Sequence, residues 1–209
     1  MARDGGCGNV SSVSSSLQHH AVGLTWTESN GMARAAHALV DQQRVWLVDP
    51  FEDEPALSAA AELGRPQAVL QLLDRHNRDC EQIARRLEVP LLRLPANAPD
   101  TPFTVVPVIK RKWWHEIALW WPQEQTLVVA EAIGTAPAFA LGRRAGIHPL
   151  LRFSPPRRAL ADFAPERVLT GHGEAIESDG AAALTEAFAH ACSDIPRLLL
   201  KVPSLLRGG

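Results

Sequence analysis

Apolar residues recur along the chain with two periods, every second position and every third or fourth, and the two alternate from residue 23 onward. Residues 23–27 (GLTWT) alternate as a half-buried strand does. Residues 36–40 and 44–50 predict two more strands, the last stopped by Pro50. After an acidic loop, residues 55–63 predict a helix with Pro55 in its first turn. Residues 67–73 are an apolar run of strand length. Residues 77–87 set Cys80, Ile83, Ala84 and Leu87 on one helical face, and 89–94 add a short strand.

The second half repeats the arrangement with different connections. Residues 103–109, 116–121 and 126–130 predict consecutive, largely antiparallel strands, with a turn at 122–125. Residues 134–158 mix Gly, Pro and Arg without a period and predict loops. Residues 167–170 are a last short strand, 181–192 a helix, and 196–206 a second, Pro-interrupted one. Two β-rich halves, each closed by helices, predict an α/β (α+β) fold with two stacked sheets and helices outside. A flavodoxin-like single sheet stays open at this point. Residues 1–20, rich in Gly and Ser, read as an N-terminal tail, and 21–209 as one domain.

Composition narrows the class. At 209 residues, 46% hydrophobic and 21% charged, the chain has the apolar content to fold, which excludes wholesale disorder. No apolar run approaches the roughly 20 residues of a membrane span, and the first residues lack the apolar stretch of a secretory signal. A net charge of −2 gives no broad pull toward nucleic acid or anionic lipid. Three scattered cysteines, Cys7, Cys80 and Cys192, do not make a disulfide framework, so a reducing cytoplasm is the expected location. An unidentified small molecule is the expected partner, in preference to a membrane or nucleic acid, and self-association stays open.

Four segments place polar groups just after apolar strands: Asp49 in LVDP, the run 74–80 (DRHNRDC), Glu131 in LVVAEA, and His172 in LTGHG. Strand ends present side chains rigidly to a shared cleft. Each group also has a structural role open to it. Asp49 could cap the chain, and His76 could be a core histidine held by a carboxylate. Cys80, at a helix start, is either an activated thiol or a small buried residue. Trp113-Trp114 and Trp120-Trp121 each place one ring on either face of a strand, which favours core packing for one of each pair. Arg143, Arg144, His148, Arg152, Arg157 and Arg158 read as a solvated basic loop facing the acidic 51–54 stretch.

This ordered quartet resembles the metallo-β-lactamase-fold superfamily, over about residues 22–195. Asp49 looks like the first-motif aspartate. Residues 74–79 stand where that family carries His-x-His-x-Asp-His, Glu131 where it carries a bridging aspartate, and His172 in a GHG-like segment. The resemblance implies a four-layer αββα sandwich with its site at one edge between the sheets. It implies metal-ligand roles for Asp74, His76, Asp79, Glu131 and His172, and site roles for Asp49, Asp79, Arg78 and Lys112. In that register only His76 keeps its family type within the second motif. A one-residue shift would instead place Arg75, Asn77, Asp79 and Cys80 there. Arg78 and Lys112 fall at ligand positions, so fixed cations are expected to replace part of the metal charge and to pair with nearby acids. The implied cofactor is one divalent metal (zinc, iron or manganese) rather than a dinuclear zinc centre, with a metal-free cluster also open. The implied activity is a divergent hydrolase acting on an ester, thioester or lactone. The alternative is a non-catalytic binding or assembly module using the same cleft.

Overall fold

Alternation of apolar positions decides which way each strand faces, and in the computed structural model, which describes residues 15–30 and 32–205, it builds two sheets with four apolar faces. The first sheet has six strands in chain order: β1 (Ser15–His20), β2 (Gly23–Glu28), β3 (Ala35–Asp41), β4 (Arg44–Val48), β5 (Arg65–Gln71) and β6 (Leu91–Arg93). Its first four strands are antiparallel, and β4, β5 and β6 run parallel. On the outer face Leu24, Trp26, Ala38, Leu47 and Val69 pack against Ala56 and Ala60 of α1 (Glu54–Glu62) and Ile83 and Ala84 of α2 (Cys80–Arg86). Asp53 caps α1 by accepting from the Ala56 amide, and Pro55 sits in its first turn.

The second sheet holds β7 (Thr104–Arg111), β8 (Trp114–Trp121), β9 (Thr126–Val129) and β12 (Arg167–Thr170), in the order β12-β9-β8-β7. Its inner residues, among them Ile117, Leu119 and Val128, meet Leu39, Trp46, Val48 and Leu70 of the first sheet in one buried cluster. Trp46, Phe103 and Trp121 interlock edge to face across the interface, with ring centroids 5.4 and 5.3 Å apart. The same cluster takes in Ala183, Leu184, Ala187 and Phe188 of α5 (Gly180–His190), which completes the αββα layering. The last element among the described residues is α6 (Ile195–Leu205).

Four local expectations change. Residues 15–20, read as part of a tail, form β1, because pairing with β2 satisfies their backbone groups; residues 1–14, with Cys7, lie outside the described residues. The helix expected from residue 77 begins at Cys80, after a turn in which Arg78 holds left-handed backbone (φ 40°). The loop-rich region 134–158 carries short elements of its own: a ribbon of β10 (Ile133–Gly134) with β11 (Gly146–Ile147), the single-turn helix α3 (Pro137–Ala140), and the start of α4 (Arg157–Leu160). Its basic residues do not meet the acidic loop. Arg143 pairs with Asp194 at 2.8 Å and Glu186 at 3.0 Å, whereas Glu52 pairs with Arg86.

Candidate metal centre

Two parallel strand pairs open at one edge of the sandwich, and their carboxyl ends supply the site. In the first sheet, Val48 of β4 is level with Leu70 of β5, so Asp49 emerges beside the segment that leads to His76. In the second, Val129 of β9 is level with Thr170 of β12, so Glu131 and His172 leave side by side. Ligand atoms of His76, Glu131 and His172 all lie within 4.8 Å of one another, although the residues come from both sheets and His172 stands 96 positions after His76. His76 and His172 are buried, and their ring centroids are 5.9 Å apart.

Hydrogen bonding fixes how both imidazoles face the cluster. His76 Nδ1 lies 2.9 Å from Asp49 Oδ2, while Asp49 Oδ1 accepts from the Leu72 amide. His172 Nδ1 lies 2.9 Å from the carbonyl oxygen of Met32. A carbonyl or carboxylate oxygen only accepts, so each Nδ1 carries a hydrogen, and Nε2 of a neutral ring then keeps a lone pair. His172 Nε2 is buried without a hydrogen-bond partner, 3.9 Å from Glu131 Oε1. Burial holds the His172 imidazole neutral, its pKa lowered to about 4, with Arg78 adding to the effect. Asp49 therefore stands behind His76, where a carboxylate would orient the ring of a ligating histidine.

The two glycines of the TGHG segment have separate reasons. A Cβ on Gly171 would stand 2.1 Å from the Ala130 carbonyl oxygen and 3.1 Å from His76 Cε1. Gly173 holds φ +96°, and a Cβ there would meet the Ala136 nitrogen at 2.3 Å.

The remaining expected residues lie elsewhere. Asp74 is exposed and accepts from the His115 amide at 3.0 Å. Asp79 accepts from the Glu52 amide at 2.8 Å, at the start of α2 and turned from the cluster. Lys112 is exposed in the β7–β8 turn. Arg78 does lie under the site, but its guanidinium donates to three backbone carbonyls, of Ala35 (2.6 Å), Asp49 (2.7 Å) and Gly171 (3.1 Å), instead of pairing with an acid. Carbonyl dipoles meet its charge, so the expected Arg78 and Lys112 ion pairs are replaced. The cation in the cleft is Arg75, 3.5 Å from Glu131 Oε2 and 4.2 Å above the Trp114 ring. Cys80 is buried, and desolvation pushes its thiol up to about 12, which overrides any helix-terminus activation.

Two site residues were missed in the sequence. His148 Nδ1 accepts from the Leu150 amide, so the hydrogen of the neutral ring is on Nε2, 3.8 Å from Glu131 Oε1. Burial, aided by Arg75 and Arg152, lowers its pKa to about 4. His148 thus offers an N–H donor toward the cluster where His76 and His172 offer lone pairs. Glu116, fully buried in β8, accepts from the amides of Glu131 and Ala132 and from Trp114 Nε1. It sets the backbone from which Glu131 projects, and burial raises its pKa to about 7. A lone acid in the apolar strand WHEIALWW was its only sequence signal; His148, in a loop without a period, had none.

A cavity of about 660 Å³ opens beside the cluster, lined by Thr27, Glu28, Asn30, Thr135, Arg144 and Glu174 among others. None of the three candidate ligands lines it, so the chemistry stays with the cluster and the cavity is a neighbouring groove.

No family model matches the chain, and neither does any curated protein. Solved structures do. The DIM-1 metallo-β-lactamase exposed to ceftazidime superposes with a TM-score of 0.57 at 13% identity, covering 86% of this chain and 97% of that one. The metallo-β-lactamase from Erythrobacter litoralis, with β-mercaptoethanol in its active site, gives 0.59 at 12%, covering 85% and 96%. VMB-1 gives 0.56 at 12%, covering 87% and 98%.

Proposed function

We propose that this chain, whose fold is that of the metallo-β-lactamases, is a hydrolase-like protein that holds one divalent metal between His76, Glu131 and His172 and acts on an ester, thioester or lactone. The observation that carries the reading is the orientation of the two histidines. Asp49 and the Met32 carbonyl take up both Nδ1 hydrogens, which leaves Nε2 of each ring, when neutral, as the donor toward a metal beside Glu131. Two neutral imidazoles and a carboxylate are a donor set for zinc, iron or manganese, with room for a further ligand. A metal bound there would supply Lewis acidity and an activated water.

The chain's own groups account for the rest. Arg75 screens the charge of Glu131 and rests on Trp114. The Nε2 hydrogen of His148 is available to an oxygen that gains negative charge beside Glu131. Glu116 and Arg78 hold the two strand ends in place through backbone contacts.

Arg75 also favours a second reading. It already neutralises the only carboxylate of the cluster, which suits a binding module with no metal. Metal analysis of the purified chain, followed by zinc titration and assay against ester, thioester and lactone substrates, separates the two. Near-stoichiometric metal with activity that a chelator removes supports the hydrolase. A chain that neither carries nor takes up metal supports the binding module.

A further inference from the structure

The net charge of −2 conceals a local imbalance. Residues 101–115 and 132–161 contain no Asp or Glu. The fold brings the two segments together, since Lys110, Arg111, Arg157 and Arg158 line one groove of about 580 Å³ between β7 and the start of α4. Arg111 reaches Ser154 at 3.5 Å and lies 5.7 Å above the Trp113 ring. Among the described residues, Lys110, Arg111, Lys112 and Arg158 have no carboxylate within ion-pair distance.

Large apolar side chains stand exposed on the same face. Trp113 is 54% exposed, Leu150 68% and Phe153 81%. They are neighbours through the core: Trp113 packs against Trp114 (5.9 Å), Trp114 against His148 (4.8 Å), and Leu150 and Phe153 follow His148 in the chain. Projecting apolar groups ringed by unpaired cations match an interface that is apolar in depth and anionic at its surface. A single-stranded polynucleotide suits this face less well. Leu150 has no ring to stack on a base, and the Trp113 ring is already flanked by Arg111 and Trp114.

We propose that this face docks on an anionic lipid surface, with Trp113, Leu150 and Phe153 entering the boundary between headgroups and acyl chains and Lys110, Arg111, Lys112 and Arg158 meeting lipid phosphates. No helix among the described residues is long and apolar enough to cross a membrane, so the contact is made from one side. The inference does not depend on metal binding or hydrolysis, and its test is run with and without chelator.

The full chain is sedimented with vesicles of phosphatidylcholine, with or without phosphatidylglycerol. Binding is expected only to the anionic vesicles and is expected to weaken as salt rises. Leu150→Ser with Phe153→Ser should lower the affinity about tenfold or more, and Lys110→Ser or Arg158→Ser about fivefold each. These side chains are exposed, so melting temperature and circular dichroism should stay unchanged and confirm that each variant folds. The proposal is overturned if the wild type ignores anionic vesicles at low salt, or if the variants bind as well as the wild type. Retention of an oligothymidine strand with no vesicle binding would equally overturn it, in favour of nucleic acid.

Discussion

Arg78 donates to the carbonyl oxygen of Asp49 at 2.7 Å, and both residues hold left-handed backbone, φ 40° and 45°. Non-glycine residues take this conformation at a cost, so the surrounding contacts must sustain it. Here one guanidinium ties the strand end that carries Asp49 to the start of β3 and to Gly171, beside His172.

Arg78→Ala should therefore destabilise the chain by about 2–4 kcal/mol, because three carbonyls lose a charged donor. Backbone carbonyls do not titrate, so neither acid nor zinc should restore the loss. Urea melts at two pH values, with and without zinc, check this. Rescue by acid would mean that Arg78 was balancing carboxylates after all.

Zinc affinity should separate the roles in the cluster. His76→Ala and His172→Ala are expected to remove measurable binding by calorimetry. Asp49→Asn, which leaves all three ligands in place, should weaken it about 10–100-fold. Equal affinity in wild type and Asp49→Asn would show that the carboxylate does not orient His76.

His148→Gln should leave zinc affinity within about threefold of wild type, since its lone pair is occupied by the Leu150 amide. Any hydrolytic rate should fall while metal content is unchanged. Loss of the metal itself in this variant would instead make His148 a ligand.

Acid should unfold the chain through its buried histidines. His37, bonded to Thr25 Oγ1 at 2.8 Å and fully buried, has its pKa lowered to about 3 by desolvation, and His20 to about 4. The unfolded chain binds these protons near pH 6.5 and the folded chain does not. Stability is therefore complete above about pH 6.5 and is lost as pH falls below it. By about pH 5, His37 alone accounts for about 2 kcal/mol of that loss. His37→Gln keeps a partner for Thr25 and cannot titrate, so its urea midpoint should differ less between about pH 7 and about pH 5. An undiminished difference would assign the acid limb to other groups.

The layers were legible because alternation is a local property. Trp114 and Trp121 are buried, whereas their neighbours Trp113 and Trp120 are exposed or half-buried, as strand geometry requires. His76, Glu131 and His172 were legible as strand-end groups in order. Asp74 and Asp79 were not distinguishable from them, because an acid after a strand serves equally to hold a backbone amide, and that is what both do. Arg75 and Arg78 exchanged roles for a similar reason. Which guanidinium faces the carboxylate depends on the left-handed turn at Arg78, and no periodic pattern encodes that turn.

The contacts that close the edge between the sheets join residues far apart in the chain: His172 with Met32 across 140 positions, Arg78 with Gly171 across 93, and Gln18 with the Ala175 carbonyl across 157. Closing loops of that length costs entropy before any contact repays it, and topologies of high contact order fold slowly. The three candidate ligands can then meet only after both sheets have formed and docked. A nascent chain presents His76 long before it has synthesised His172, so a metal held by this cluster would be captured at the end of folding and not at its beginning.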